Sequence, residues 1–234
     1  MLPALKNIGS SISHLFFPHL CAGCGSDSID NSQTLCLACH DQLPVTNFHL
    51  HANNPVEKIF WGRIPLIGAA SYLYFTKDSL LQNLLHQFKY KGNKELGFFL
   101  GQQMGNSFKQ SNRFNKADAL IALPLFPSRE HKRGFNQAAV LCEGISAATG
   151  IPFLPNIVVR TKSTETQTHK NRIQRWQNME GRFELKQEKA ISNKKIVLVD
   201  DVVTTGATLE ACGHELLKAP GSQLFISTLA YTSV

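Results

Sequence analysis

The stretch Ile196–Leu209, IVLVDDVVTTGATL, constrains this chain more than any other. Four consecutive apolar residues, Ile196 to Val199, predict a strand buried on both faces, and a helix follows from about Ala207 to Lys218. In an open parallel sheet the turn between them lies at the carboxyl end of a strand, the edge where ligands bind. The helix start, from Gly206 and Ala207 onward, offers unpaired N–H groups and a positive dipole end, with the hydroxyls of Thr204, Thr205 and Thr208 beside it. Gly206 lets the backbone approach a phosphate closely. Asp200 and Asp201 stand where they can hold two vicinal hydroxyls of a sugar, directly or through a divalent cation. A Walker-type nucleotide site would need a G-x-x-x-x-G-K-[ST] loop, and the chain has none. A merely solvated acidic loop would leave the threonines and the glycine unexplained.

The rest of the second half reads as alternating strands and helices. Leu66–Phe75 predicts a strand, Leu80 to Phe88 a helical stripe, and a second helix starts at about Lys94. Ala119–Leu123 is a short strand ending at Pro124; a helix from about Asn136 to Thr149 stops at Gly150 and Pro152. Ile157–Val159 and Leu224–Ala230 complete the strands. Right-handed βαβ units and a mostly parallel, Rossmann-like sheet of the α/β class follow. His49, His51, Asn53, Asn54 and Pro55 read as a linker, which divides the chain into residues 1–55 and 56–234.

The first of these units carries Cys21-x2-Cys24 and Cys36-x2-Cys39, separated by eleven residues. Two such knuckles supply four thiolates at tetrahedral spacing, the pattern of a structural zinc site with no open coordination position. Two disulfides, a redox pair or an iron–sulfur cluster are the competing readings, and His14, His19, His40, His49 or His51 could replace a ligand. The doubled motif argues against disulfides, and no secretion signal is expected at the N-terminus. Cys142 and Cys212 sit in apolar helical stretches and read as core residues.

A net charge of +7 favours anionic partners, either phosphate-bearing small molecules or nucleic acid. No apolar run reaches the ~18 residues needed to span a bilayer. Leu2, Leu5, Ile8, Ile12 and Leu15 fit one face of a short helix docking on the body. A cytoplasmic location is expected.

The turn at Asp200–Thr208 closely resembles the phosphoribosyl-pyrophosphate (PRPP) motif of type I phosphoribosyltransferases. With the cysteines added, the chain resembles the ComF family (ComFC/GntX-like proteins), which couples a zinc ribbon to a phosphoribosyltransferase domain. The match runs from about Phe17 to Ala230. It includes Lys89-Tyr90-Lys91-Gly92, Leu123-Pro124-Leu125, Arg129 and Arg133-Gly134-Phe135-Asn136-Gln137. It continues through Arg160, Lys162, Gln167, Arg172, Arg175, Asn178 and Phe183. The family often has Pro-x-Pro where Ala122-Leu123-Pro124 stands, and Gly-Ala where Gly221-Ser222 stands.

The resemblance implies a PRPP binder, with magnesium, linked to DNA uptake and natural transformation or to DNA as a nutrient, and with an unassigned acceptor. It implies single-stranded DNA and other DNA-uptake proteins as partners. Arg129 and Arg133 are candidates to clamp the pyrophosphate, with Asn136 capping the following helix. Residues 160–178 look like the hood loop that closes over PRPP, with Arg160 and Lys162 placed to stabilise the leaving pyrophosphate. Asp200 and Asp201 complete the catalytic candidates. Lys170, Arg172, Arg175 and Trp176 form a basic, aromatic-bearing strip suited to stacking a DNA base. Two functional readings follow: a phosphoribosyltransferase, or a non-catalytic single-stranded-DNA-binding accessory factor that keeps the pocket as a sensor or structural element.

Overall fold

The computed structural model describes residues 19–27, 29–30, 32–161 and 182–232. The expected N-terminal helix lies almost entirely outside them, as do Lys162, Lys170, Arg172, Arg175 and Trp176.

In chain order the elements are α1 (Leu37–Asp41), α2 (Pro55–Phe60), β1 (Gly68–Tyr74), α3 (Leu80–Tyr90), α4 (Lys94–Gln110) and β2 (Ala119–Ala122). Then come α5 (Pro127–Arg133), α6 (Gln137–Thr149), β3 (Val158–Arg160), β4 (Phe183–Leu185) and α7 (Glu188–Ile191). The chain closes with β5 (Lys195–Val203), α8 (Ala207–Leu216) and β6 (Gln223–Tyr231). A four-stranded parallel sheet has the order β1-β6-β5-β2, and β3 and β4 form a separate antiparallel pair.

The central strands β5 and β6 are buried on both faces, which is why Ile196–Val199 is an unbroken apolar run and Leu224–Ala230 is interrupted only by the buried Ser227 and Thr228. Ile196–Val199 are all fully buried. On one side of the sheet Phe108, Phe114 and Phe225 stack in series, each ring centroid 4.9 Å from the next. Beyond them α4 and α6 cross in backbone contact. A Cβ on Gly144 would lie 2.2 Å from the Phe98 carbonyl oxygen, so only glycine permits this crossing. Cys142 and Cys212 are buried, as the sequence predicts.

The segment expected as a linker is part of the packed body. Phe48 and His49 are buried, and the Thr46 amide donates to the Tyr72 carbonyl of β1. Asn54 caps α2 by accepting from Val56 and Glu57, while its amide donates to Ala69 in β1 at 2.8 Å. The polar residues there are helix-capping and turn residues, which composition does not distinguish from a linker.

Candidate functional site

Strand β5 runs to Val203 and carries Asp200 and Asp201 at its carboxyl end; Thr204 and Thr205 form the turn and α8 begins at Ala207. Gly206 is the N-cap, in the left-handed region at φ +72°. A Cβ there would also meet Phe60 at 2.7 Å, so the glycine serves the packing of α2 as well as the turn. Arg63, which sequence reasoning missed, ties down the same turn. Its Nη1 donates to the carbonyls of Thr205 at 2.8 Å and Ile59 at 2.9 Å, and its guanidinium pairs with Glu210 in α8.

The two acids differ in environment. Asp201 pairs with Lys89 at the end of α3, Nζ to Oδ2 2.9 Å. Asp200 accepts from the Asp201 amide at 2.8 Å, yet burial and the neighbouring Asp201 charge push its carboxyl up to about 8. The Asp201 amide, Lys89 and Arg133 pull in the opposite direction without prevailing. A carboxyl buried beside a second carboxylate is expected to hold its proton more tightly, as Asp200 does.

Several cations lie within electrostatic reach of Asp200. Arg160, at the end of β3, lies 5.5 Å over the Phe183 ring. Burial and the charges of Arg129 and Arg182 lower its pKa, and Asp200 opposes them. The structure thus brings Arg129, Arg160 and Asp200 into one electrostatic neighbourhood and adds Arg182, which the sequence did not single out. Arg133 donates to Gln137 at 2.8 Å and lies 6.0 Å over the Tyr90 ring. Asn136 caps α6, accepting from Ala138 and donating to Leu123.

A cavity of about 820 Å³ opens between α3 and the end of β5. It shares Asp201 and Thr204 with the turn, and Phe75, Leu85 and Val202 give it apolar wall.

The four cysteines converge, with all Sγ atoms within 4.8 Å of one another. Cys24 and Cys36 are 3.8 Å apart, and a tetrahedral zinc–thiolate site has edges of about 3.8 Å. Amides of Gly23 and Cys36 donate to Cys21 Sγ at 3.4 and 3.2 Å. Burial raises the Cys21 thiol, but the amides of Cys36, Cys24 and Gly23 outweigh it and carry it down to about 6. Burial and the surrounding thiols push Cys39 up to about 12. The Cys21 thiolate is favoured and Cys39 resists ionising beside it, a conflict that a divalent cation resolves. The donor set fits zinc. The knuckle is also docked on α3: the Gln87 amide donates to the Ala22 carbonyl at 2.6 Å, and Gly23 packs against Leu80. Among the described residues no helix is long and apolar enough to cross a membrane.

Residues 137–232 match the phosphoribosyl transferase domain family. The DNA utilization protein YhgH of Escherichia coli (strain K12) is 30% identical over 203 residues, covering 85% of this chain and 84% of that protein. Competence protein F of Haemophilus influenzae is 29% identical over 219 residues, covering 93% and 92%. Competence protein ComFC of Bacillus subtilis is 29% identical over 144 residues, covering 62% and 56%.

Proposed function

Because the chain belongs to the ComF family, which joins a four-cysteine unit to a type I phosphoribosyltransferase fold, we propose that it binds PRPP with magnesium and serves DNA uptake or DNA utilization. The observation that carries this reading is the turn after β5. Two acids, three threonines and an αL glycine at a helix start are pinned there by Arg63. The N–H groups from Gly206 to Thr208 and the hydroxyls of Thr204, Thr205 and Thr208 would receive the 5-phosphate. Asp200 and Asp201 would accept from the ribose hydroxyls. Arg129, Arg133 and Arg160 would face the pyrophosphate, with Lys162 as a further candidate beyond the described residues. Magnesium would neutralise the pyrophosphate oxygens. The cysteine unit, to about residue 55, would hold one structural zinc through Cys21, Cys24, Cys36 and Cys39. Cysteines kept out of disulfides and available to a metal suit the cytoplasm, where thiols stay reduced.

Calorimetric titration of the zinc-loaded protein with magnesium and PRPP tests the reading, with Asp200→Asn/Asp201→Asn as control. Saturable binding lost in the control supports it, and no binding by folded protein defeats it. Release of pyrophosphate in the presence of candidate acceptors then separates a transferase from a binding protein.

A further inference from the structure

We propose that Gln87 is a positioning residue that links the four-cysteine cluster to the acidic turn, so that zinc and PRPP each strengthen the hold on the other, a link whose PRPP half rests on the function proposed above.

The link starts at one peptide group. The carbonyl of Ala22 accepts from Gln87 Nε2 at 2.6 Å, and the N–H of the same Ala22–Gly23 peptide donates to Cys21 Sγ at 3.4 Å. Asn83, one turn back on α3, also accepts from Gln87 Nε2, at 3.3 Å, and orients the amide. A peptide unit bonded at both ends is polarised, so each bond strengthens the other. A thiolate held by a metal is a charged acceptor for that N–H, and groups bonded behind a ligand help to decide how tightly it keeps its metal. Gln87 is such a group, and it belongs to the body of the protein, not to the knuckle.

The other end of the link is two residues away. An α-helix turns about 100° per residue, so Gln87 and Lys89 leave α3 on nearly opposite faces. Gln87 meets the knuckle and Lys89 meets Asp201 at 2.9 Å, which clamps α3 between the cysteine cluster and β5. The Lys89 and Asp201 side chains are only 19% and 13% exposed, so salt screens this pair less than a surface pair. The Gln87 carbonyl accepts from the amides of Lys91 at 3.0 Å and Asn93 at 3.4 Å and closes the end of the helix beside Lys89. A shift at either anchor is therefore felt at the other.

A ligand that orders the Asp200–Thr208 turn fixes Asp201, and with it Lys89 and the end of α3. Part of the ordering needed to hold the knuckle closed on its metal is then already done. Such a linkage is reciprocal: the factor by which PRPP tightens zinc equals the factor by which zinc tightens PRPP.

The test is the rate at which the full zinc-loaded chain gives up zinc to the chelator 4-(2-pyridylazo)resorcinol, with magnesium throughout and with or without PRPP. PRPP should slow release about fivefold in the parent and by less than about 1.5-fold in Gln87→Leu, with Gln87→Met as a second variant. Asp200→Asn/Asp201→Asn should show no slowing. A merely structural loosening of α3 would speed release in Gln87→Leu and leave the PRPP effect intact, which would overturn the proposal, as would PRPP that binds the parent without slowing release. A second cycle needs no PRPP: Lys89→Met should speed zinc release about threefold in the parent and not in Gln87→Leu. Equal effects of Lys89→Met in the two backgrounds overturn the link whether or not PRPP binds. If PRPP does not bind and Lys89→Met acts only in the parent, the link between cluster and turn stands and the PRPP reading alone fails.

Discussion

Lys89 Nζ lies 2.9 Å from Asp201 Oδ2, and both side chains are mostly buried. The pair joins the helix that walls the cavity to the strand that presents the acids. It also places the Lys89 ammonium where it opposes the burial that raises the Asp200 pKa. Replacing Lys89 by Met should raise the Asp200 pKa further above about 8, since Lys89 is among the groups holding it down. Carboxyl-carbon NMR of Asp200 would read the change, and an unmoved titration would contradict it. Leaving Asp201 unmatched should also cost about 1–3 kcal/mol in urea unfolding at neutral pH.

Ligand binding at the turn should depend on pH through Asp200. A group that must accept from ribose hydroxyls works best as a carboxylate, and Asp200 loses its proton only near pH 8. Magnesium–PRPP affinity should therefore climb through about pH 8 and level off above about pH 9. Asp200→Asn should bind weakly at every pH and flatten the profile, as calorimetry at several pH values would show.

The same proton has a consequence for stability. The folded-state pKa of about 8 stands above an unfolded value of about 3.9, so the folded chain holds a proton that the unfolded chain gives up. This contribution is fully present below about pH 4 and is lost as pH rises to about 8. Asp200→Asn should thus gain on the parent as pH rises, with a larger difference in urea midpoint at pH 9 than at pH 5.

Gly206→Ala places a side chain at φ +72° and within 2.7 Å of Phe60. A non-glycine residue in this region costs about 1–3 kcal/mol before any clash is counted. Thermal unfolding should fall accordingly. PRPP affinity should fall with it, because the turn and α2 are packed as one unit. Arg63→Leu should weaken PRPP binding as well while leaving the zinc content at one per chain, because it frees the Thr205 carbonyl far from the cysteines.

Metal removal should be felt first in α3. Ala22 and Gly23 lie inside the first CxxC pair and touch Gln87 and Leu80. After chelation, hydrogen exchange measured by mass spectrometry should accelerate in residues 80–90 before it does in β5 and β6. Equal acceleration everywhere would mean that the knuckle stabilises the whole fold and not this helix.

Much of this protein is written locally. Ile196–Val199 announce a buried central strand because both faces must be apolar, and Asp200 to Thr208 follow it with no intervening residues. Cys21, Cys24, Cys36 and Cys39 come as two knuckles whose ligand spacing is set within each turn. Periodicity likewise revealed α3, α4, α6 and α8. The misreading of residues 49–55 has the same origin. Asn54 looks like a linker residue until its amide is seen bonded to Ala69 in β1.

What the sequence by itself determined is therefore the order of the α/β elements, the acidic turn and the four-cysteine cluster, each encoded in short local patterns. Only the tertiary structure decided which distant residues complete them. Arg63 reaches Thr205 across 142 positions, Gln87 reaches Ala22 across 65, and Lys89 settles on Asp201. The wall of the cavity and the charge balance around Asp200 follow from those meetings. Charge and burial act through space, and no local pattern in a chain records what will be folded against it.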